Sequence, residues 1–168
     1  MYASRRRVVV AALVSGVALF AAAGAGADHG GRGNEGDDNG GGAFRAQLLA
    51  NLASDPAIHG VAAAPADWRL RSGSVRLQRK SGDLQLRLEV KRLVLASTGT
   101  TGTVTTITAS LFCGGTRADE TRSARLSSRG NARIRDEVTA PARCLAPEVV
   151  VHPNGTDSLF IAASGVAS

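Results

Sequence analysis

The sequence predicts an all-β fold: an antiparallel β-sandwich of the immunoglobulin-like or Greek-key type, with roughly eight strands and one disulfide. Three observations lead to this prediction. Apolar and polar residues alternate over residues 72–95, Gly, Pro and Asn turns separate the other short apolar segments, and no convincing amphipathic helix is found. In an antiparallel sheet such alternation indicates strands with one face in a core and the other in water.

The clearest pair of strands is a hairpin with a two-residue turn at residues 81–82. This turn puts Leu77 opposite Leu86 and Val75 opposite Leu88, so the apolar side chains share one face and the charged ones take the other. A slip of one position would expose the apolar residues at roughly 1.5–3 kcal/mol each. The sequence therefore specifies the register of this hairpin.

Shorter patterns predict the remaining strands. A second hairpin with the loop 128–130 would put Leu126 opposite Ala132, with Gly130 at positive φ. Four further segments are rich in apolar or β-branched residues and are predicted strands: 44–52, 104–113, 149–151 and 159–163.

The N-terminal residues predict export. Three arginines at 5–7 precede an apolar run, and Ala25-Gly26-Ala27 fits a cleavage site, so residues 1–27 are predicted to be a signal peptide of the general or the twin-arginine type. An uncleaved membrane anchor is the alternative. Residues 28–42 hold seven glycines and no apolar residue, so the segment 28–43 is predicted to be a disordered linker ahead of a domain at 44–168. We expect a secreted protein, extracellular or in the cell envelope, without membrane contact after cleavage.

The two cysteines, Cys113 and Cys144, are predicted to pair, since an oxidising compartment favours disulfides. Closing a loop of about 30 residues would add on the order of 3–4 kcal/mol to stability. A metal site built on the two cysteines is disfavoured, because neither lies in a CxxC or has a histidine at ligand spacing.

No catalytic motif is present: the chain has no GxSxG, and both cysteines are predicted to be tied up, so we expect no enzyme. The net charge of +6 at pH 7 directs attention to anionic partners. Trp68, Arg69, Arg71 and Arg76 are the candidate surface for an anionic cell-envelope polymer; the alternative is a solvated strand face with Trp68 packed at its edge. Another envelope protein is the second candidate partner, and nucleic acid is not expected. The predicted function is a non-catalytic binding or matrix component.

His59 and His152 support an alternative function, extracellular metal binding or redox chemistry. Both histidines lie near predicted strand ends, where the loops of a sandwich gather. If they converge with Asp55 or Asp157, a copper or zinc site is chemically reasonable. Otherwise each caps a turn or faces solvent, and no cofactor is expected.

The order of segments resembles that of the CHRD domain, a secreted β-domain first noted in chordin. The likeness rests on FRAQL at residues 44–48, Asp55-Pro56, GSVRL at 73–77 and LQLRL at 84–88. It implies an extracellular β-sandwich and no chemistry, because TASLFC at 108–113 replaces the histidine-containing element common in that family. The chain also resembles uncharacterised secreted proteins of actinobacterial type.

Overall fold

Strands make up all the regular secondary structure in the computed structural model, which describes residues 44–80 and 83–164. The predicted all-β, antiparallel fold with one disulfide is therefore confirmed. The strands of this described part are β1 (Phe44–Ala50), β2 (Ala62–Ala63), β3 (Trp68–Arg69), β4 (Ser72–Lys80), β5 (Asp83–Lys91), β6 (Val94–Leu95), β7 (Thr106–Cys113), β8 (Thr116–Glu120), β9 (Ala124–Arg125), β10 (Ala132–Val138), β11 (Glu148–Pro153), β12 (Leu159–Phe160) and β13 (Ala162–Ser164).

Nine strands form one principal sheet in the order β10-β5-β4-β1-β13-β11-β7-β8, with β9 also paired to β7. The first residues of β1 pair with β4 and its last residues pair with β13, so β1 belongs to both halves of the sheet. The first half is β10-β5-β4-β1, and the second half is β1-β13-β11-β7 with β8 and β9. Two short pairs lie outside it: β3 with β6, which is antiparallel, and β12 with β2, which is parallel.

The register of the first hairpin is confirmed. Val75 lies opposite Leu88 and Leu77 opposite Leu86, and all four side chains are buried. The predicted turn at residues 81–82 lies outside the described residues, as do the predicted signal peptide, the predicted linker and residues 165–168. All described residues belong to one compact unit.

The second predicted hairpin is correct in its loop and wrong in its strand pairing. The amide of Ser127 donates to the carbonyl of Asn131 at 3.0 Å, and Gly130 has a φ of 73°. Beyond the loop, however, β9 pairs with β7, and β10 pairs with β5 along its whole length, Ala132–Val138. The reason is that β5 offers an uninterrupted apolar alternation to β10, whereas β9 is only two residues long.

The main hydrophobic core is formed by the inward-facing side chains of both halves. Its largest fully buried apolar members include Leu86 and Leu88 from the first half, Ile107 and Leu111 from the second, and Leu93 between strands. Burial of each such side chain contributes roughly 1.5–3 kcal/mol before the entropy of ordering is subtracted.

Side chains join the two ends of the principal sheet at a seam between β10 and the β8–β9 segment. Asp136 of β10 accepts hydrogen bonds from the amide of Arg122 at 2.7 Å and from its guanidinium at 2.9 and 3.1 Å. The hydrogen bonds from Arg122 hold the pKa of Asp136 below its usual value. Asp119 accepts from the amide of Thr139 at 2.6 Å. The sheet is thus nearly closed on itself.

Within the described residues, no helix is long and apolar enough to cross a lipid bilayer.

Candidate anion-binding face

The outer faces of the two halves of the sheet differ in how they are covered. In the second half, β7 and β11 are buried on both faces, because the segment 58–63 and β12 pack over Phe112 and Val150. In the first half, β4, β5 and β10 alternate between buried and less buried residues. The outward side chains of β1, β4, β5 and β10 therefore form an uncovered surface, termed the open face.

Four arginines stand in one line across the open face. Arg45 of β1 is opposite Arg76 of β4, Arg76 is opposite Arg87 of β5, and Arg87 is opposite Arg135 of β10. Adjacent strands are about 4.8 Å apart, so this line, termed the arginine row, is about 14 Å long. Like charges directly opposite one another destabilise a sheet. The requirements of folding alone therefore do not favour the row.

Among the described residues, two carboxylates lie beside the arginine row, Glu89 on β5 and Glu137 on β10, but neither is paired with it. None of its four guanidinium groups forms an ion pair there. Arg76 is half-buried, and its Nε is a buried donor without a hydrogen-bond partner in this part of the chain. Buried donors in folded proteins are normally satisfied. The row thus presents unmatched positive charge and unused donors.

The neighbouring charges on the open face are partly neutralised. Glu89 lies 3.2 Å from Arg133 and 3.4 Å from Lys91. Hydrogen bonds from Arg133 first, and then from Lys91, lower the pKa of Glu89, so this carboxylate is ionised at neutral pH. Part of the charge beside the row is therefore neutralised within the face itself.

The structure separates the residues that the sequence grouped as a polyanion-binding surface. Trp68 is only 5% exposed and lies opposite Leu95, so its prediction as a binding residue is wrong: the ring is part of the core. Arg69 is exposed opposite Val94, and Arg71 is exposed at the end of β4. Arg76 alone stands in the arginine row.

His59 occupies a tight turn over the covered half of the sheet. Ile58 and Val61 exchange two backbone hydrogen bonds across it, and His59 has a φ of 48°. The imidazole stacks on Phe112 at a centroid distance of 4.8 Å, and its Nε2 lies 2.8 Å from a carboxylate oxygen of Glu148. These contacts fasten the turn to the sheet.

His152 is fully buried, and both its ring nitrogens are bonded to the protein. Nδ1 lies 2.7 Å from the carbonyl oxygen of Leu159, which can only accept, so in the neutral ring Nδ1 carries the proton. Nε2 then accepts from the hydroxyl of Ser110 at 2.8 Å. Burial lowers the pKa of His152. A serine bonded to an imidazole is an arrangement used in nucleophilic catalysis, but both side chains here are 0% exposed, so substrate does not reach them.

The metal hypothesis gains no support from this geometry. No group of three or more His, Cys, Asp or Glu side chains suited to a metal ion occurs in residues 44–80 and 83–164. The ring of His152 would have to break a protein hydrogen bond to bind one. Cys113 and Cys144, in contrast, form the predicted disulfide, which indicates an oxidising environment.

Comparison with known proteins identifies no family. No family model, curated protein or solved structure matches the chain. The resemblance to the CHRD domain therefore stays a prediction.

Sequence reasoning missed three of the four arginines in the row. The hairpin register places Arg76 and Arg87 opposite each other, so this pair could have been found from the sequence alone. Arg45 and Arg135 join them only through the β1–β4 and β5–β10 pairings, which connect strands distant in sequence. Such pairings have no local signature in the chain.

Proposed function

We propose that the protein is a secreted, non-catalytic binding domain that holds an anionic polymer of the cell envelope on its open face. The observation that carries the proposal is the arginine row. A row of like charges destabilises the sheet. A ligand with opposite charges relieves this repulsion when it binds, and the relief contributes to its affinity.

The shape of the row favours a polymer over a single anion. Its guanidinium groups are spread along about 14 Å of a pleated surface. Each planar guanidinium can bind a phosphate, sulfate or carboxylate through two parallel hydrogen bonds. The described outward-facing residues of β1, β4, β5 and β10 include no aromatic ring that could stack on a sugar or a base. Recognition through repeated charges, with little dependence on the units between them, follows from this composition.

Export supports the choice of partner. The predicted signal peptide and the disulfide both fit a compartment outside the cytoplasm. Cell fractionation tests this part: the mature chain is expected in the medium or the envelope, and its recovery in the cytoplasm with reduced cysteines contradicts it.

Binding is tested with fluorescently labelled long-chain polyphosphate, whose affinity is measured by anisotropy at increasing salt. The row variant Arg45→Gln/Arg87→Gln removes two contacts, which should lower the slope of log affinity against log salt by about 1.5, taking roughly 0.7–0.9 per contact from nucleic acids. Arg69→Gln/Arg125→Gln is the matched control, because it also removes two exposed arginines, both outside the row.

Two results would overturn the proposal. One is retention of polyphosphate that does not weaken as salt is added, because charge pairing is screened. The other is a row variant that binds no more weakly than the Arg69→Gln/Arg125→Gln control.

A further inference from the structure

A basic cleft opens beside the open face, where the ends of β4, β5 and β10 meet two loops. Its volume is about 1030 Å³. The residues that line this basic cleft include five with positive charge: Arg71, Lys91, Arg92, Arg129 and Arg133.

Only part of this charge is neutralised within the protein. Among the described lining residues, Glu89 is the one with an acidic side chain, and it pairs with Lys91 and Arg133. Among the described residues, Arg71, Arg92 and Arg129 form no ion pair. Three guanidinium groups are therefore available to a ligand on the walls of one cavity.

The wall that carries Arg92 is held in an unusual backbone conformation. Arg92 has a φ of 55°, in the left-handed region that side chains other than glycine rarely adopt. Its amide donates to Oδ1 of Asn131 at 3.0 Å, and the next amide, of Leu93, donates to the carbonyl of Gly130 at 2.9 Å. Strained residues that their surroundings hold in place occur preferentially at ligand clamps.

The loop that holds this wall is itself tightly fitted. A Cβ at Gly130 would lie 2.3 Å from the carbonyl oxygen of Leu93, so only glycine allows the approach. The backbone at Arg92 is thus fixed before any ligand arrives. Fixing the backbone that carries a binding side chain removes part of the entropic cost of association in advance.

The composition of the cleft defines the class of ligand. Besides the charged groups, its lining offers the hydroxyls of Ser72 and Ser128 and the amide of Asn131, and none of the described lining residues is aromatic. Small-molecule pockets are mostly apolar and enclose about 300–1,000 Å³. A polar, cationic cleft at the upper end of that range suits an oligoanion of a few units better than an apolar compound or a single ion.

We propose that the basic cleft binds a short phosphorylated oligomer, the terminal segment of the polymer held by the arginine row. This inference rests on the proposed function, because the two surfaces are continuous: Lys91 lies four residues along β5 from Arg87, and Arg133 lies two residues along β10 from Arg135. The arginine row binds the middle of the polymer, and the basic cleft binds its terminal segment.

The test uses inorganic tripolyphosphate as the probe, measured by calorimetry. Unaltered protein is expected to bind it. The cleft variant Arg92→Gln/Arg129→Gln is expected to bind at least tenfold more weakly. The charge-matched row variant Arg45→Gln/Arg87→Gln should stay within about twofold of the unaltered protein, since it leaves the cleft intact.

A variant with unchanged net charge distinguishes a site of defined geometry from non-specific attraction by the positive potential of the protein. Asn131→Ala removes the acceptor that holds the amide of Arg92, so it should weaken tripolyphosphate binding severalfold. The affinity of the arginine row for long-chain polyphosphate should stay unchanged. Tri-glutamate serves as the carboxylate control and is expected to bind at least tenfold more weakly than tripolyphosphate.

The outcomes distinguish the two proposals. If long-chain polyphosphate binds through the row but tripolyphosphate does not bind, the cleft proposal fails and the proposed function stands. Equal losses in the cleft and row variants, or equal binding of tri-glutamate, also overturn the cleft proposal. If tripolyphosphate binding depends on the cleft while row variants leave long-chain binding unchanged, the proposed function fails instead.

Discussion

Removing the charge of Arg76 should make the protein more stable. Arg76 is the row member with the least compensation: it has a like-charged arginine directly opposite on each side, Arg45 and Arg87, and a buried Nε without a partner in the described residues. The substitution Arg76→Met keeps an unbranched stem over the strand while it removes the charge and the unsatisfied donor.

The magnitude follows from the spacing of the row. Two unit charges at the strand spacing of about 4.8 Å repel in water by about 0.9 kcal/mol. Screening leaves about 0.7 kcal/mol at 0.01 M salt and about 0.5 kcal/mol at 0.15 M, since the Debye length shortens from roughly 30 to 8 Å. With two neighbours, Arg76→Met should gain about 1.5 kcal/mol at low salt and about 1 kcal/mol at 0.15 M. For a domain of about 120 residues, the low-salt gain corresponds to a Tm about 6 °C higher.

Urea unfolding of the mature protein at both salt concentrations measures this gain. Arg69→Met is the matched control, because it makes the same change of charge opposite Val94 and should alter stability by less than about 0.5 kcal/mol. The reasoning is refuted if Arg76→Met is less stable than the unaltered protein at 0.01 M salt. A gain that does not shrink as salt is added refutes it equally.

The remaining predictions concern the disulfide, the buried histidine, the seam and export. Replacing both Cys113 and Cys144 by alanine opens a bridge with a sequence separation of 31, which should cost about 3.7 kcal/mol, or a Tm about 15 °C lower by calorimetry; a loss under about 1 kcal/mol contradicts this. Because burial lowers the pKa of His152 from 6.5, the unfolded state binds a proton that the folded state does not. Stability should therefore fall below about pH 6.5, by at most about 1.4 kcal/mol per pH unit, and His152→Gln should abolish this component in urea unfolding. Asp136→Asn should speed hydrogen exchange at the seam at neutral pH. The lowered pKa of Asp136 means that its contribution is present above about pH 4 and lost as pH falls through the folded-state value, so unaltered protein and variant should converge in acid. N-terminal sequencing of exported protein should begin at Asp28; an intact N-terminus would indicate an uncleaved anchor.

The elements that were predictable are those specified by local alternation. In β5 every second residue from Leu84 to Val90 is apolar, and Val75 and Leu77 of β4 match it, so the fold class and the register of Val75 with Leu88 followed from the sequence. The same register also places Arg76 opposite Arg87, two of the four members of the arginine row. The disulfide was predictable because only two cysteines were present to pair.

The elements that were not predictable depend on partners distant in the chain. The burial of Trp68 arises in a two-residue strand opposite Leu95, and so short a segment has no measurable period. The pairing of β10 with β5 instead of β9 was decided by competition between possible partners. Completion of the arginine row by Arg45 and Arg135 depends on the order of strands in the sheet, which the residues of one strand do not encode.

The bridge between Cys113 and Cys144 has a topological consequence. The covalent ring that it closes contains β8, β9 and β10, and therefore both sides of the seam. A protease that cuts after the exposed Arg129 in the loop between β9 and β10 leaves two fragments that stay linked through sulfur. The nicked chain should migrate as one species without reductant and as two with it, so a cut in this loop releases neither fragment while the surroundings remain oxidising.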